Sequence, residues 1–219
     1  MATGRAARAW AGALAGLVFL TGCAHSHGNA TGAGHASGSI PARPALLVLG
    51  GADTEGEALP DRLRTAWPYL VYREAMPRDA EMVNGAFEHA TAAEALGEQA
   101  PLDRELAPRF VAMWIGVDDL RARTPVRTFE RSLTELIHIV KADGAQHVLV
   151  ADIPDAYGNA AATYDAAIRA TVRSTGAVLV ELEPVAVHFV EADHLPPVAD
   201  TATHREIATR FERALRSTP

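Results

Sequence analysis

Short apolar runs recur along the chain from residue 45 onward, and they predict the strands of a sheet. Most of these runs are bounded by Gly, Pro, Asn or Asp, the residues that usually end regular structure. The predicted strands are Ala45–Leu49, Glu81–Val83, Phe110–Ile115, His147–Ala151 and Val178–Leu182.

Between these runs, apolar residues recur at the spacing of amphipathic helices. Strands that alternate with helices predict an α/β fold, a doubly wound parallel sheet of five strands in three layers. Such a sheet binds its ligand at the C-terminal ends of the strands, near the point where the strand order reverses. The predicted helices are Arg62–Glu74, Thr91–Gln99, Val126–Ala142, Ala160–Thr175 and Thr203–Leu215.

The N-terminus has the pattern of an export signal. Arg5 and Arg8 precede an apolar segment, Ala9–Leu20, that is shorter than the roughly 20 residues of a membrane span. The following Leu20-Thr21-Gly22-Cys23 resembles the lipobox of bacterial lipoproteins. The resemblance implies cleavage before Cys23, acylation of that cysteine and anchorage to the membrane. We therefore expect the bacterial cell envelope, and the outer membrane facing the periplasm in a Gram-negative cell.

This pattern divides the chain into three parts. Residues 1–22 are the predicted signal peptide, residues 23–43 the lipidated cysteine and a flexible tether, and residues 44–219 the folded domain. The tether is rich in Gly and Ala and contains His25, His27 and His35. These histidines either bind zinc or copper, which would make the protein a metal-handling lipoprotein, or belong to a polar spacer. The spacer is the favoured interpretation.

Composition excludes several classes of function. The chain has 27 acidic residues against 20 Lys plus Arg and a net charge of −7, which argues against a nucleic-acid partner. Its single cysteine cannot form an internal disulfide. Gly50-Gly51 lacks the Lys-Ser/Thr that completes a phosphate-binding loop, so no cofactor is expected.

Acidic residues follow two of the predicted strands. Asp53, Asp118 and Asp119 are expected at one edge of the sheet. They either form an acidic mouth that binds a divalent cation or a cationic ligand, or they are solvated loop residues of an acidic protein. The second interpretation is favoured because no metal-ligand spacing accompanies them.

Four segments resemble, in order, the sequence blocks of SGNH (GDSL) hydrolases of the thioesterase/lysophospholipase branch. The first block usually reads Gly-Asp-Ser-x-Thr-x-Gly and the third Gly-x-Asn-Asp. The resemblance extends over residues 45–215 and implies the flavodoxin-like SGNH-hydrolase fold and the active site of an ester hydrolase. The four segments are Leu47–Gly56, Met82–Thr91, Trp114–Leu120 and Asp193–Ala208.

The residues that this resemblance assigns to catalysis are replaced. With Thr54 and Gly56 in register, Ala52 occupies the position of the nucleophilic serine. Ala86 occupies that of the oxyanion-hole glycine, and Asp118 that of the oxyanion-hole asparagine. An alanine has no nucleophilic oxygen, and an ionised Asp118 would repel an oxyanion instead of donating a hydrogen bond to it.

The last block has two possible registers. In the first, Asp193 takes the position of the triad aspartate and Pro196 that of the histidine. In the second, Glu191 and His194 take those positions. The first is slightly favoured because the residues that flank Pro196 then also match.

The residues therefore predict a non-hydrolytic pseudoenzyme that keeps a cleft for a small molecule, such as an acyl or glycan ligand. The alternative is an active ester or thioester hydrolase with a displaced triad, for which Thr54 is the nearest hydroxyl. The candidate cleft residues are Asp53, Thr54, Asp118, Asp119 and His194.

Overall fold

Five parallel strands form the central sheet of the computed structural model, which describes residues 45–56, 58–192 and 195–218. Their order is β2-β1-β3-β4-β5, so the prediction of a doubly wound α/β fold is confirmed. The strands are β1 (Ala45–Gly50), β2 (Glu81–Asn84), β3 (Phe110–Trp114), β4 (His147–Ala151) and β5 (Val178–Val180).

Helices cover both faces of this sheet. The connection from β1 to β2 runs in the opposite direction to those from β3 to β4 and from β4 to β5, so right-handed crossovers place their helices on opposite faces. Accordingly α3 packs on α9, and α7 packs on α8. The helices are α1 (Ala52–Glu55), α2 (Arg62–Thr65), α3 (Trp67–Ala75), α4 (Ala92–Glu94), α5 (Pro101–Leu106), α6 (Val117–Ala122), α7 (Val126–Ala142), α8 (Ala161–Thr175) and α9 (Thr201–Ser217), with a π-helical turn at Ala95–Gln99 and a 3₁₀ turn at Asp155–Tyr157.

Among the predicted elements that are shorter or more divided than their patterns indicate, two have a clear physical cause. The predicted helix Arg62–Glu74 is broken at Ala66, because Pro68 lacks an N–H and is tolerated only in the first turn of a new helix. The predicted strand Val178–Leu182 ends at Val180, because the next backbone N–H groups turn toward a side chain. Those of Leu182 and Glu183 donate to the buried Asp152.

An antiparallel hairpin that the sequence pattern did not predict lies outside the main sheet. It consists of β6 (Phe189–Ala192) and β7 (Leu195–Ala199). Its second strand contains Pro196 and Pro197, and prolines ordinarily argue against a strand because they cannot donate to the ladder. A two-stranded ribbon tolerates them because each strand has a free edge.

The core is built around β1 and an aromatic stack. All six residues of β1 are buried. On the face of α3 and α9, the rings of Trp67 and Phe211 stack at 4.2 Å with an interplanar angle of 9°. Next to them, the backbone N–H of Trp67 donates to Nδ1 of the buried His204 at 3.1 Å.

The predicted signal peptide, the lipidation site Cys23 and the histidine tether lie outside the described residues. In residues 45–56, 58–192 and 195–218, none of the helices combines the length and apolar content of a membrane span.

Candidate functional site

The strand order reverses between β1 and β3, so a ligand site is expected where these two strands end. The chain leaves β1 through Gly51, the N-cap of α1, and Ala52 is the first residue of that helix. It leaves β3 through Gly116, whose φ of 121° suits glycine and turns the chain into α6. Ala52 is therefore the first residue of one helix and Asp118 the second residue of another, and the two helices follow neighbouring strand ends.

Ala52, at the position of the expected nucleophile, is covered by the hairpin. Only 1% of its surface is exposed, and it packs against Val198 of β7, with Ala58 and Val190 at the edge of the contact. This apolar cluster is separate from the main core. A side chain at residue 52 therefore faces β7 and not solvent.

The space beside Ala52 is filled by Asp118. A methyl group added to Gly51 would overlap Oδ2 of Asp118, so this carboxylate lies directly over the Gly51 backbone. The remaining cavity, lined among others by Asp53, Thr54 and Ala90, has a volume of about 10 Å³. That volume suffices for about one water molecule.

Arg121 connects the two acidic side chains of this site to the hairpin. Its Nη1 donates to Oδ1 of Asp118 at 3.1 Å, and its Nη2 lies 3.4 Å from Oδ2 of Asp53. The same Nη2 donates to the carbonyl oxygen of Pro197 at 2.7 Å. Oδ1 of Asp53 accepts a hydrogen bond from the backbone N–H of Ala199, also at 2.7 Å.

Burial dominates the electrostatics of this cluster. Asp53 and Asp118 are only 4% and 6% exposed, and burial raises the pKa of both carboxyls, while the guanidinium of Arg121 acts in the opposite direction. Burial, and then the charge of Asp53, raises the pKa of the Tyr157 hydroxyl well above its ordinary value. The cluster therefore has two carboxyl groups for one fixed cation, and either of them, when ionised, disfavours the approach of a further negative charge.

The three acids singled out from the sequence do not act together. Asp53 and Asp118 meet at Arg121, whereas Oδ2 of Asp119 accepts the N–H of Ala92 at 2.7 Å, at the start of α4. All three are buried, so the favoured expectation of solvated loop acids was wrong. Within the described part of the chain, no group of three or more His, Cys, Asp or Glu side chains is arranged to hold a metal ion.

Thr54, the hydroxyl nearest to residue 52, points into the protein. It is fully buried, and its Oγ1 lies 3.5 Å from the carbonyl oxygen of Trp114 at the end of β3. A methyl group at Gly50 would overlap Oγ1 of Thr54. The hydroxyl is therefore packed between the ends of β1 and β3, where Thr54 also lines the small cavity.

The loop after β2 contributes a different residue from the one that the resemblance assigns. The N–H of Ala86 donates to Oδ1 of Asn84 at 3.2 Å. Of the described residues in this loop, Ala90 lines the small cavity. The preceding His89 has a φ of 60°, a left-handed conformation that is unusual for a side chain of this size. A positive charge on His89 would oppose the rise in the pKa of the Asp118 carboxyl.

The last block is described only in part. Asp193 and His194 lie outside the described residues, and the structure therefore leaves both registers open. Glu191 lies in β6 and is exposed, and Pro196 lies in β7.

A second cavity lies on the other side of Arg121. It has a volume of about 440 Å³, and Tyr157 and Phe189 are its aromatic walls. Their rings meet edge to face at 5.1 Å, and the guanidinium of Arg121 lies 5.5 Å from the centroid of the Tyr157 ring. Phe189 is 41% exposed. The lining residues are Leu120, Arg121, Ala156, Tyr157, Phe189 and Pro197.

Sequence reasoning missed Arg121, Tyr157 and Val198. Arg121 had a weak signal, because it follows Asp118 by three residues on a helix and such residues are neighbours. Tyr157 and Val198 had none, since each reaches the site from a distant part of the chain.

Comparison with solved structures identifies the fold. No protein-family model matches the chain, and no match is found among curated proteins. TesA has a TM-score of 0.66 at 22% identity, over 78% of this chain and 98% of its own. The psychrotrophic esterase EstA from Pseudoalteromonas sp. has a TM-score of 0.62 at 19% identity, over 78% and 96% of the two chains.

A lipase/acylhydrolase from Enterococcus faecalis has a TM-score of 0.63 at 16% identity, over 78% of this chain and 94% of its own. The domain therefore has the α/β fold of the SGNH (GDSL) hydrolases. At these identities the likeness establishes the fold alone.

Proposed function

We propose that this chain is a non-hydrolytic SGNH-fold lipoprotein, anchored in the bacterial cell envelope through Cys23, that binds a small ligand in the cleft beside Arg121. The observation that carries the proposal is the closed site at residue 52. Ala52 offers no nucleophile, and its side chain is buried beneath Val198.

The surroundings of residue 52 also oppose acyl transfer. The tetrahedral intermediate of ester hydrolysis carries a negative oxygen that needs hydrogen-bond donors. Here Asp118 lies over Gly51 and pairs with Arg121, so the guanidinium is already engaged by acidic partners. A lost nucleophile together with an acidic group in place of a donor leaves little residual catalysis.

The larger cavity supports a binding role. Its volume of about 440 Å³ lies within the range of small-molecule sites, and its aromatic walls offer apolar contact area. An acyl chain or the apolar face of a sugar ring are the ligand classes that such walls suit. Binding of either class is measurable by calorimetry, with Phe189→Ala as the variant that removes one wall.

The proposal is tested first by hydrolysis. The full chain carrying Cys23→Ser, which blocks lipidation, is assayed on p-nitrophenyl acetate, p-nitrophenyl butyrate and an acyl-CoA, with the esterase EstA as the active control. We expect rates equal to the buffer background. Turnover that is lost in Thr54→Ala would establish the displaced-triad hydrolase instead.

A second test separates a missing nucleophile from a closed site. The Ala52→Ser variant restores the hydroxyl, and a fluorophosphonate reports whether that hydroxyl is reactive. We expect no labelling above that of the unaltered chain, because Val198 covers residue 52. Stoichiometric labelling of residue 52, mapped by mass spectrometry, would contradict the closed site.

The membrane anchor is tested independently of the cleft. In a bacterial host, we expect the unaltered chain in the membrane fraction with acyl chains on Cys23, and Cys23→Ser in the soluble fraction. An unmodified Cys23 would refute the lipoprotein part of the proposal. Zinc calorimetry with and without residues 24–43 tests the alternative that the histidine tether handles metal, and equal binding by both would exclude it.

A further inference from the structure

The hairpin over residue 52 is weakly connected to the rest of the core. In the part of the chain that the structure describes, its strands pair with each other and not with the five-stranded sheet. Its apolar contact with α1 is the small cluster of Val198 and Ala52, flanked by Ala58 and Val190, which is separate from the main core. Among the described side chains of the hairpin, few apolar groups are buried, and such a segment opens at a lower free energy than the core strands do.

Two polar side chains hold β7 in place by its backbone. Asp53 accepts the N–H of Ala199, and Arg121 donates to the carbonyl oxygen of Pro197. Arg121 is in turn held by Asp118 and lies beside Asp53. One guanidinium therefore joins α1, α6 and β7, and a charge-assisted hydrogen bond of this kind is about twice as strong as a neutral one.

The same residues separate the two cavities. Asp53 and Asp118 line the small cavity, whereas Arg121 and Pro197 line the large one. On the outer side, Phe189 of β6 contacts the ring of Tyr157, which also lines the large cavity. Movement of β7 away from α1 would break the bonds from Asp53 and Arg121 and remove this partition.

We propose that the β6–β7 hairpin is a lid that Arg121 holds closed over residue 52, and that opening of the lid joins the two cavities into one cleft. The lid extends the proposed function, because it determines how a ligand reaches the inner part of that cleft. Arg121 acts on the ligand site through the position of β7, and is therefore a positioning residue.

The accessibility of residue 52 measures the opening of the lid. In the Cys23→Ser background, Ala52→Cys places a thiol beneath Val198, and Ellman's reagent reacts with it only when β7 moves away. We expect Arg121→Gln to accelerate this reaction about ten-fold or more, because the bond to Pro197 and the ion pairs are weakened. Arg121→Lys, which keeps the charge, should restore part of the protection.

Two controls distinguish lid opening from general unfolding. Ala208→Cys lies in the main core on α9, and Arg121→Gln should leave the rate of its reaction unchanged. Arg210→Gln removes a charge from the helical pair with Glu206 on α9, beside β5, and should not affect the thiol at residue 52. An unchanged rate at residue 52, or equal acceleration at residues 52 and 208, would overturn the lid.

Hydrogen exchange provides a measurement without a new thiol. Arg121→Gln should accelerate exchange of the amides of Val198 and Ala199 and leave those of β1 unchanged. Uniform acceleration across the chain would again overturn the proposal. Its failure is distinguishable from that of the proposed function, because exchange and thiol labelling report opening whether or not the chain hydrolyses an ester.

Discussion

The buried His204 is expected to make the protein sensitive to mild acid. Its side chain is 1% exposed, and its Nδ1 accepts the backbone N–H of Trp67, which requires an unprotonated nitrogen. Burial lowers the pKa of this imidazole from 6.5 to about 4. The unfolded chain therefore binds a proton near pH 6.5 that the folded chain excludes.

The size of the effect follows from this difference in pKa. A histidine whose pKa is lower in the folded state contributes stability at neutral pH that is lost as the pH falls from about 6.5 toward about 4. Between pH 7.5 and pH 5.0 the loss from this one group amounts to about 2 kcal/mol, which is a large part of the free energy of unfolding of a typical domain.

The assay is urea unfolding of the full chain carrying Cys23→Ser, followed by circular dichroism at several pH values. His204→Asn is the matched variant, because its Oδ1 can take the place of Nδ1 as the acceptor but does not titrate in this range. We expect this variant to be less stable than the parent at pH 7.5, since it leaves space in the core.

The decisive quantity is the difference in the free energy of unfolding between the parent and His204→Asn, measured as a function of pH. Other buried groups, such as Asp53 and Asp118, titrate in both proteins, so their contributions cancel in that difference. The free-energy gap between the two proteins should narrow by about 2 kcal/mol from pH 7.5 to pH 5.0. A gap that stays constant would show that His204 is not held neutral by burial.

Three further predictions concern single contacts. Gly51→Ala should lower the free energy of unfolding by about 1–3 kcal/mol, because the added methyl group meets Oδ2 of Asp118. In a double-mutant cycle, adding Asp118→Ala should recover most of that loss. Additive losses in free energy would refute the contact. Lys141→Met should lower the free energy of unfolding by about 1 kcal/mol, because Nζ donates to the carbonyl oxygens of Thr175 and Gly176 at the end of α8. An unchanged midpoint of urea unfolding would refute this role. Asp103 is buried without a hydrogen-bond partner among the described residues for either carboxylate oxygen, and burial raises its pKa to about 6. Asp103→Asn should therefore stabilise the protein at pH 8 by about 1–3 kcal/mol, and this gain should be lost as the pH falls from about 6 to about 4. A gain that is independent of pH would contradict the charge explanation.

Long periodic elements were predictable from the sequence because their patterns are local. The bounds of α7 (Val126–Ala142) and β4 (His147–Ala151) agree with the prediction residue for residue. The short helix α6 was not predicted, because four of its six residues are polar or small and show no apolar periodicity. The hairpin escaped prediction because Pro196 and Pro197 argue against a strand in a larger sheet.

Local sequence therefore determined the fold class, and it determined that residue 52 carries no nucleophile, because both depend on the identity and spacing of neighbouring residues. Only the tertiary structure shows that β7 covers residue 52 where an active hydrolase would have an open site. The bond between Asp53 and the N–H of Ala199 joins residues 146 positions apart. The local pattern of apolar and polar residues does not indicate such a contact, because the position of β7 over α1 depends on how the whole sheet folds.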